Sequence, residues 1–133
     1  MRYFRCKQIV NDITTLSLKT DAMETSYLYH QDGDMQYWGV QTDDPGFLLS
    51  QHPECEVTEL TYPEMAPILK SCKMMRDLDI IIETEIAKEY SIGKELKLRD
   101  LAANDPERIE YEITKEAIKV PVRAKKVELG LVL

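Results

Sequence analysis

Apolar and polar residues follow a two-residue alternation in patches over the first sixty positions and then switch to a helical period. Tyr3-Phe4-Arg5-Cys6-Lys7 carries aromatics suited to a pleated, half-buried surface and predicts a strand. Tyr27-Leu28-Tyr29-His30 and Gln36-Tyr37-Trp38-Gly39-Val40 flank Gln31-Asp32-Gly33-Asp34, two aromatic runs around an Asp-Gly turn signal, which predicts a hairpin. Asp43-Asp44-Pro45-Gly46 marks a second turn or a helix start, and Phe47-Leu48-Leu49 a short helical turn ending before Pro53. Cys55-Glu56-Val57-Thr58-Glu59-Leu60 alternates again and reads as a strand.

The style changes at Thr61-Tyr62-Pro63-Glu64. Thr61 followed three residues later by Glu64 is a capping box, with Pro63 in the first turn where its missing N–H costs little. Ile68, Cys72, Met75, Leu78, Ile82 and Ile86 then form one apolar helical stripe, continuing through Leu96, Leu98 and Leu101 past a break near Ser91-Ile92-Gly93. Asn104-Asp105-Pro106-Glu107 starts another helix, with Asn104 or Asp105 as cap. Ile109, Ile113, Ala117, Val120, Ala124, Val127 and Leu131 repeat at helical spacing, and Pro121 predicts a kink. A strand reading competes, because Ile118, Val120 and Val122 alternate, as do Val127, Leu129, Leu131 and Leu133. The kinked helix has the longer period and is preferred. The expected fold class is α+β: a small β-rich unit over 1–60, then a helical region over 61–133 holding a long amphipathic helix and a second, Pro-kinked one.

A chain of 133 residues buries roughly two-thirds of its unfolded surface, so this fold needs no disulfide or metal staple. Cys6, Cys55 and Cys72 cannot all pair within the chain and are read as reduced and mostly buried. Neither a signal peptide nor an apolar run of membrane-spanning length is visible, so the expected location is cytoplasmic, or a host cytoplasm or virion if the protein is viral. The net charge of −7 is uneven. Residues 1–60 hold four Lys/Arg against ten Asp/Glu, whereas Lys115 to Lys126 contains five basic residues against Glu116 alone. So acidic a balance makes nucleic acid an unfavourable main partner.

Each candidate for chemistry has a blander rival. His52-Pro53-Glu54-Cys55 is half of one zinc ligand pair, split by a proline. A nucleophilic cysteine needs an electropositive setting, and His30 and His52 both lie in the acidic half. Glu95-Leu96-Lys97 after Asp77 and Asp79 imitates a nuclease pattern that belongs on strands, while these residues read as a solvated helix face. Asp32-Gly33-Asp34 is a turn rather than a calcium loop. The rings of Tyr27, Tyr29, Tyr37 and Trp38 should divide between core and surface, and exposed ones suit protein contact better than bases, given the local negative charge.

The opening Met1-Arg2-Tyr3-Phe4, the strand running into a capped helix over Glu56–Glu64, two charged helices, and the stretches Tyr90–Leu96 and Glu128–Leu131 together resemble small tail-region and tail-assembly proteins of bacteriophages. The resemblance spans about half of the chain, contains no diagnostic motif and carries over no functional residue. It implies a structural or assembly protein that is not an enzyme, needs no cofactor or metal, and works through protein partners, itself among them, without a membrane. The alternative is an acidic inhibitor or adaptor whose negative head occupies a basic cleft, as in counter-defence. An acidic head and basic tail on one chain invite head-to-tail contact between copies, or docking of each end on a different partner. The expected partner-contact residues are Lys119, Arg123, Lys125 and Lys126, with Tyr37 and Trp38 from the aromatic hairpin.

Overall fold

A computed structural model describes residues 1–8, 26–41 and 55–132. The expected turn at Asp43–Gly46 and helical turn at Phe47–Leu49 lie outside these residues. The fold is α+β: β1 (Arg2–Gln8), β2 (Ser26–Asp32), β3 (Met35–Val40) and β4 (Cys55–Leu60) precede α1 (Tyr62–Ser71), α2 (Lys73–Glu89), α3 (Ile92–Arg99) and α4 (Pro106–Glu128). By contact the described chain divides into two compact units, Met1–Met74 and Met75–Leu133. The change from strand to helix falls at Thr61, but α1 stays with the sheet.

The four strands form one antiparallel sheet in the order β2-β3-β1-β4. Gly33 and Asp34 join β2 to β3, and Gly33 takes φ 60°, the value required of the first central residue in a type II′ hairpin turn. Alternation gives the sheet two faces. On one, Phe4 and Cys6 pack with Trp38 and Val40 as a buried cluster, flanked by Leu28 and Val57. On the other lies Tyr3, whose ring centroid is 6.3 Å from Tyr29 and 6.0 Å from Tyr62 of α1. Burial raises the Tyr29 and Tyr3 phenol pKa values above the ordinary tyrosine value.

Tyr29 gains its place through a β-bulge. The pairing of β2 with β3 slips between Leu28 and His30, so Tyr29 is the extra residue and its ring lies across Gly39. A Cβ at Gly39 would stand 2.7 Å from two ring carbons of Tyr29. The glycine is therefore a matter of space rather than of turn geometry.

Thr61 caps α1 as a complete capping box: its hydroxyl accepts from the Glu64 N–H, and Glu64 Oε1 accepts from the Thr61 N–H at 3.0 Å. These bonds from Thr61, backbone first, and the nearby Arg5 charge hold the Glu64 carboxyl below its ordinary pKa. A depressed folded pKa means stabilisation present above the usual Glu value of about 4.3 and lost as pH falls through the folded value. Thr61→Ala removes the N-cap hydroxyl and should cost about 1 kcal/mol near neutrality, while the Thr61 N–H remains on Glu64. The gap between variant and parent should narrow in acid, as chemical denaturation at the two pH values would show.

The expected continuous stripe from Ile68 to Ile86 is divided. Cys72 is extended (ψ 159°) and separates α1 from α2, with its buried thiol donating to the Leu69 carbonyl at 3.3 Å. The stripe still marks the inward side: Cys72 and Met75 are buried, and Ile68, Leu78, Ile82 and Ile86 are half-buried, whereas Ile80 and Ile81 face out. The break expected near Ser91 is present, with Ser91 capping α3.

Candidate protein-contact surface

α4 is a 23-residue helix with firm ends. Asp105 accepts from the Glu107 N–H at 2.9 Å, and Pro106 occupies the first turn. At the other end Gly130 (φ 71°) sends its N–H to the Val127 carbonyl, and Leu131 sends its own to Lys126, a Schellman closure sealed by the buried Leu131. Residues 106–128 are helical through Pro121, so the competing strand reading does not hold there.

The inward face of α4 is built around Tyr111, which is fully buried. Its hydroxyl donates to Glu95 Oε1 of α3 at 2.6 Å, its ring meets Tyr90 edge-on at 5.0 Å, and Lys115 Nζ sits 4.4 Å from its centroid. Arg108 donates to the carbonyls of Arg99 and Leu101 at 2.6 and 2.8 Å, tying down the end of α3. Val122 is buried farther along, and Lys126 reaches Asp79 of α2 at 2.6 Å. The inward row is thus Arg108, Tyr111, Lys115, Ile118, Val122 and Lys126, in which long basic side chains lay their stems on the unit and offer their charges to partners at its edge.

That orientation turns the expected core stripe of α4 outward. Ile109, Ile113, Val120 and Val127 are 45%, 64%, 54% and 56% exposed, and Ala117 and Ala124 between them are exposed as well. At 100° per residue these six positions fall within an arc of roughly 80°, so they form one continuous apolar row about 30 Å long. Among the described residues α4 thus presents its most regular apolar face to solvent.

The residues singled out from sequence are dispersed. Lys119 is half-buried and Arg123 and Lys125 are exposed on α4, where Arg123 pairs with Glu116 and Lys125 with Glu128 at 3.3 Å. Lys126 is drawn inward by Asp79. Trp38 belongs to the core of the sheet, its indole N–H donating to the buried Gln36 at 2.9 Å. Tyr37 is half-buried beside His30, ring centroids 6.1 Å apart. Glu95 serves Tyr111 and Arg99, and Lys97 lies with it on helix α3 rather than on a strand. Cys6 and Cys72 are both buried and outside any disulfide, while His52 lies outside the described residues.

A shallow hollow of about 520 Å³ opens beside Tyr90, lined by Ile86, Ala87 and Ile92 with Glu83, Glu95 and Arg99 at its rim. Glu95 pairs with Arg99 there, and the Ser91 hydroxyl, also in the lining, accepts from the Lys94 N–H as the cap of α3. Among the described residues no group of three or more His, Cys, Asp or Glu is placed to hold a metal, and no helix is long and apolar enough to cross a membrane. No family model, curated protein or solved structure matches the chain.

Proposed function

We propose that this chain is a non-enzymatic structural or assembly protein acting through protein–protein contacts, in the manner of a small phage tail or virion component. One observation carries the reading: the outward apolar row of α4. Each Å² of apolar surface left in water forgoes about 25 cal/mol, and ordered exposed rows of this kind mark interaction sites. The helix is fixed from behind by Tyr111, Arg108 and Lys126, so the row is presented on a rigid support. The uneven charge favours a second reading, an acidic adaptor that docks through residues 1–60.

A photoreactive residue at Ile113, introduced into cells producing the full chain, should give a discrete protein adduct. The same residue at the exposed Glu89 of α2 should not. Equal labelling at the two positions would remove the contact surface from α4, and a discrete adduct from Tyr37 alone would favour the adaptor.

A further inference from the structure

The occupant of the α4 row is readable from the charges that border it. In the first half of α4 the exposed ionic residues are all acidic: Glu107, Glu110, Glu112 and Glu116. The second half carries Lys119, Arg123 and Lys125 beside the same row, with Glu128 at its end. Arg108, Lys115 and Lys126, the remaining cations, turn toward the helical unit. The outward side of this one helix is therefore negative at its start and positive toward its end.

We infer that α4 pairs with α4 of a second copy of this chain, antiparallel about a two-fold axis near the middle of the helix. The inference rests on the reading of the α4 row as a contact surface and names what covers it. In this alignment Ile109 of one copy lies about level with Val127 of the other, Ile113 with Ala124, and Ala117 with Val120, so a large side chain meets an alanine in two of the three pairs. The borders agree to within one or two residues of this register, except at the two ends, where Glu107 faces Glu128. Glu112 comes opposite Arg123, Glu116 opposite Lys119, and Glu110 opposite Lys125, and the two-fold axis repeats each pair. A parallel pair would set Glu110, Glu112 and Glu116 against themselves, and Lys119 and Arg123 likewise. Charge thus selects the antiparallel arrangement, while the apolar row supplies most of the affinity.

Existing ion pairs do not oppose this. Arg123 with Glu116, and Glu112 with Arg108 and Lys115, are exposed or partly exposed pairs of little worth, free to exchange partners across the axis. The charge asymmetry that looks from sequence like a head and a tail is concentrated, in its basic part, on the same helix as an acidic stretch. It is therefore self-complementary. A contact of this kind is isologous and closes at two copies, whereas head-to-tail contact would propagate.

Charge-swap sedimentation of the full chain tests the pairing. The parent should show a concentration-dependent monomer–dimer equilibrium without larger species. Glu112→Lys with Glu116→Lys, and separately Lys119→Glu with Arg123→Glu, should each weaken dimerisation by about tenfold or more, since the Glu112–Arg123 and Glu116–Lys119 pairs both become like-charged and the axis repeats them. Mixed in equal amounts, the two variants should recover the dimer, because each supplies the charges that the other now lacks. Val120→Glu, at an exposed position that folding does not need, should be monomeric throughout. A parent that stays monomeric at high micromolar concentration, a series growing beyond the dimer, or a mixture no tighter than either variant alone would overturn the pairing. A monomeric parent that still gives an Ile113 adduct with a different protein would leave the contact surface standing and remove only its self-complementary occupant.

Discussion

Tyr111→Ala is expected to destabilise the helical unit by about 3–5 kcal/mol, the range for truncating a buried aromatic. Tyr111 has no exposed surface, so the cavity left behind cannot be relieved by solvent. Three further contacts go with the ring: the edge-on meeting with Tyr90, the bond to Glu95 and the Lys115 ammonium over its face. Glu95 keeps Arg99 at 3.5 Å, so its carboxylate is not left wholly unpaired. Tyr111→Phe retains the ring and should cost less, about 1.5–3 kcal/mol for a bond to a carboxylate and toward the low end because Arg99 stays on Glu95. Far-UV circular dichroism during denaturant titration would separate the two, and a Phe variant as damaged as the Ala variant would place the hydroxyl, rather than the ring, at the centre of the unit.

Phe4→Ala should cost the sheet unit a similar 3–5 kcal/mol or so. Phe4 is fully buried on the central strand β1, paired in register with Trp38 on β3 and Glu59 on β4, so its loss opens a cavity where three strands meet. The chain holds one tryptophan, and it lies in this cluster. Trp38 fluorescence therefore reports the change directly. An unchanged unfolding midpoint by that signal would contradict the packing described around Phe4.

Much of this architecture was legible in the sequence, because local signals and global packing agree there. Aromatic alternation placed the β2–β3 hairpin, the Thr61–Glu64 spacing placed the start of α1, and Asp105-Pro106 placed the start of α4. What was not legible depends on partners distant in sequence. Nothing in Tyr27-Leu28-Tyr29-His30 announces a bulge, because the extra residue is defined only against Trp38 and Tyr37. The extended Cys72 interrupts a stripe whose spacing shows no interruption.

The outward row of α4 was half legible. Periodicity revealed that Ile109, Ile113, Val120 and Val127 share a face, but a period names a face without naming what covers it. The opposite row, Arg108, Tyr111, Lys115, Ile118, Val122 and Lys126, reads as solvated because three of its six members are basic. The stems of those three, with Tyr111, Ile118 and Val122, nevertheless form the inward side. The i, i+4 spacing of Tyr111 with Lys115 was the available signal, and it gains meaning only beside Glu95 and Tyr90. The pairing of Lys126 with Asp79 spans 47 positions and leaves no local trace.

The central claim is that the α4 row serves another molecule and not the fold of its own chain. Replacing Ile109, Ile113, Val120 and Val127 together by Gln, and following thermal unfolding and sedimentation in parallel at concentrations where the parent is monomeric and where it associates, tests this most directly. The account predicts that the dilute variant keeps the helical signal and unfolding midpoint of the monomeric parent, since exposed substitutions usually change stability by no more than about 0.5 kcal/mol each. Association should be lost at every concentration. A variant that loses helix or melts much earlier under dilute conditions would show the row to be covered by the chain itself, and would contradict the account.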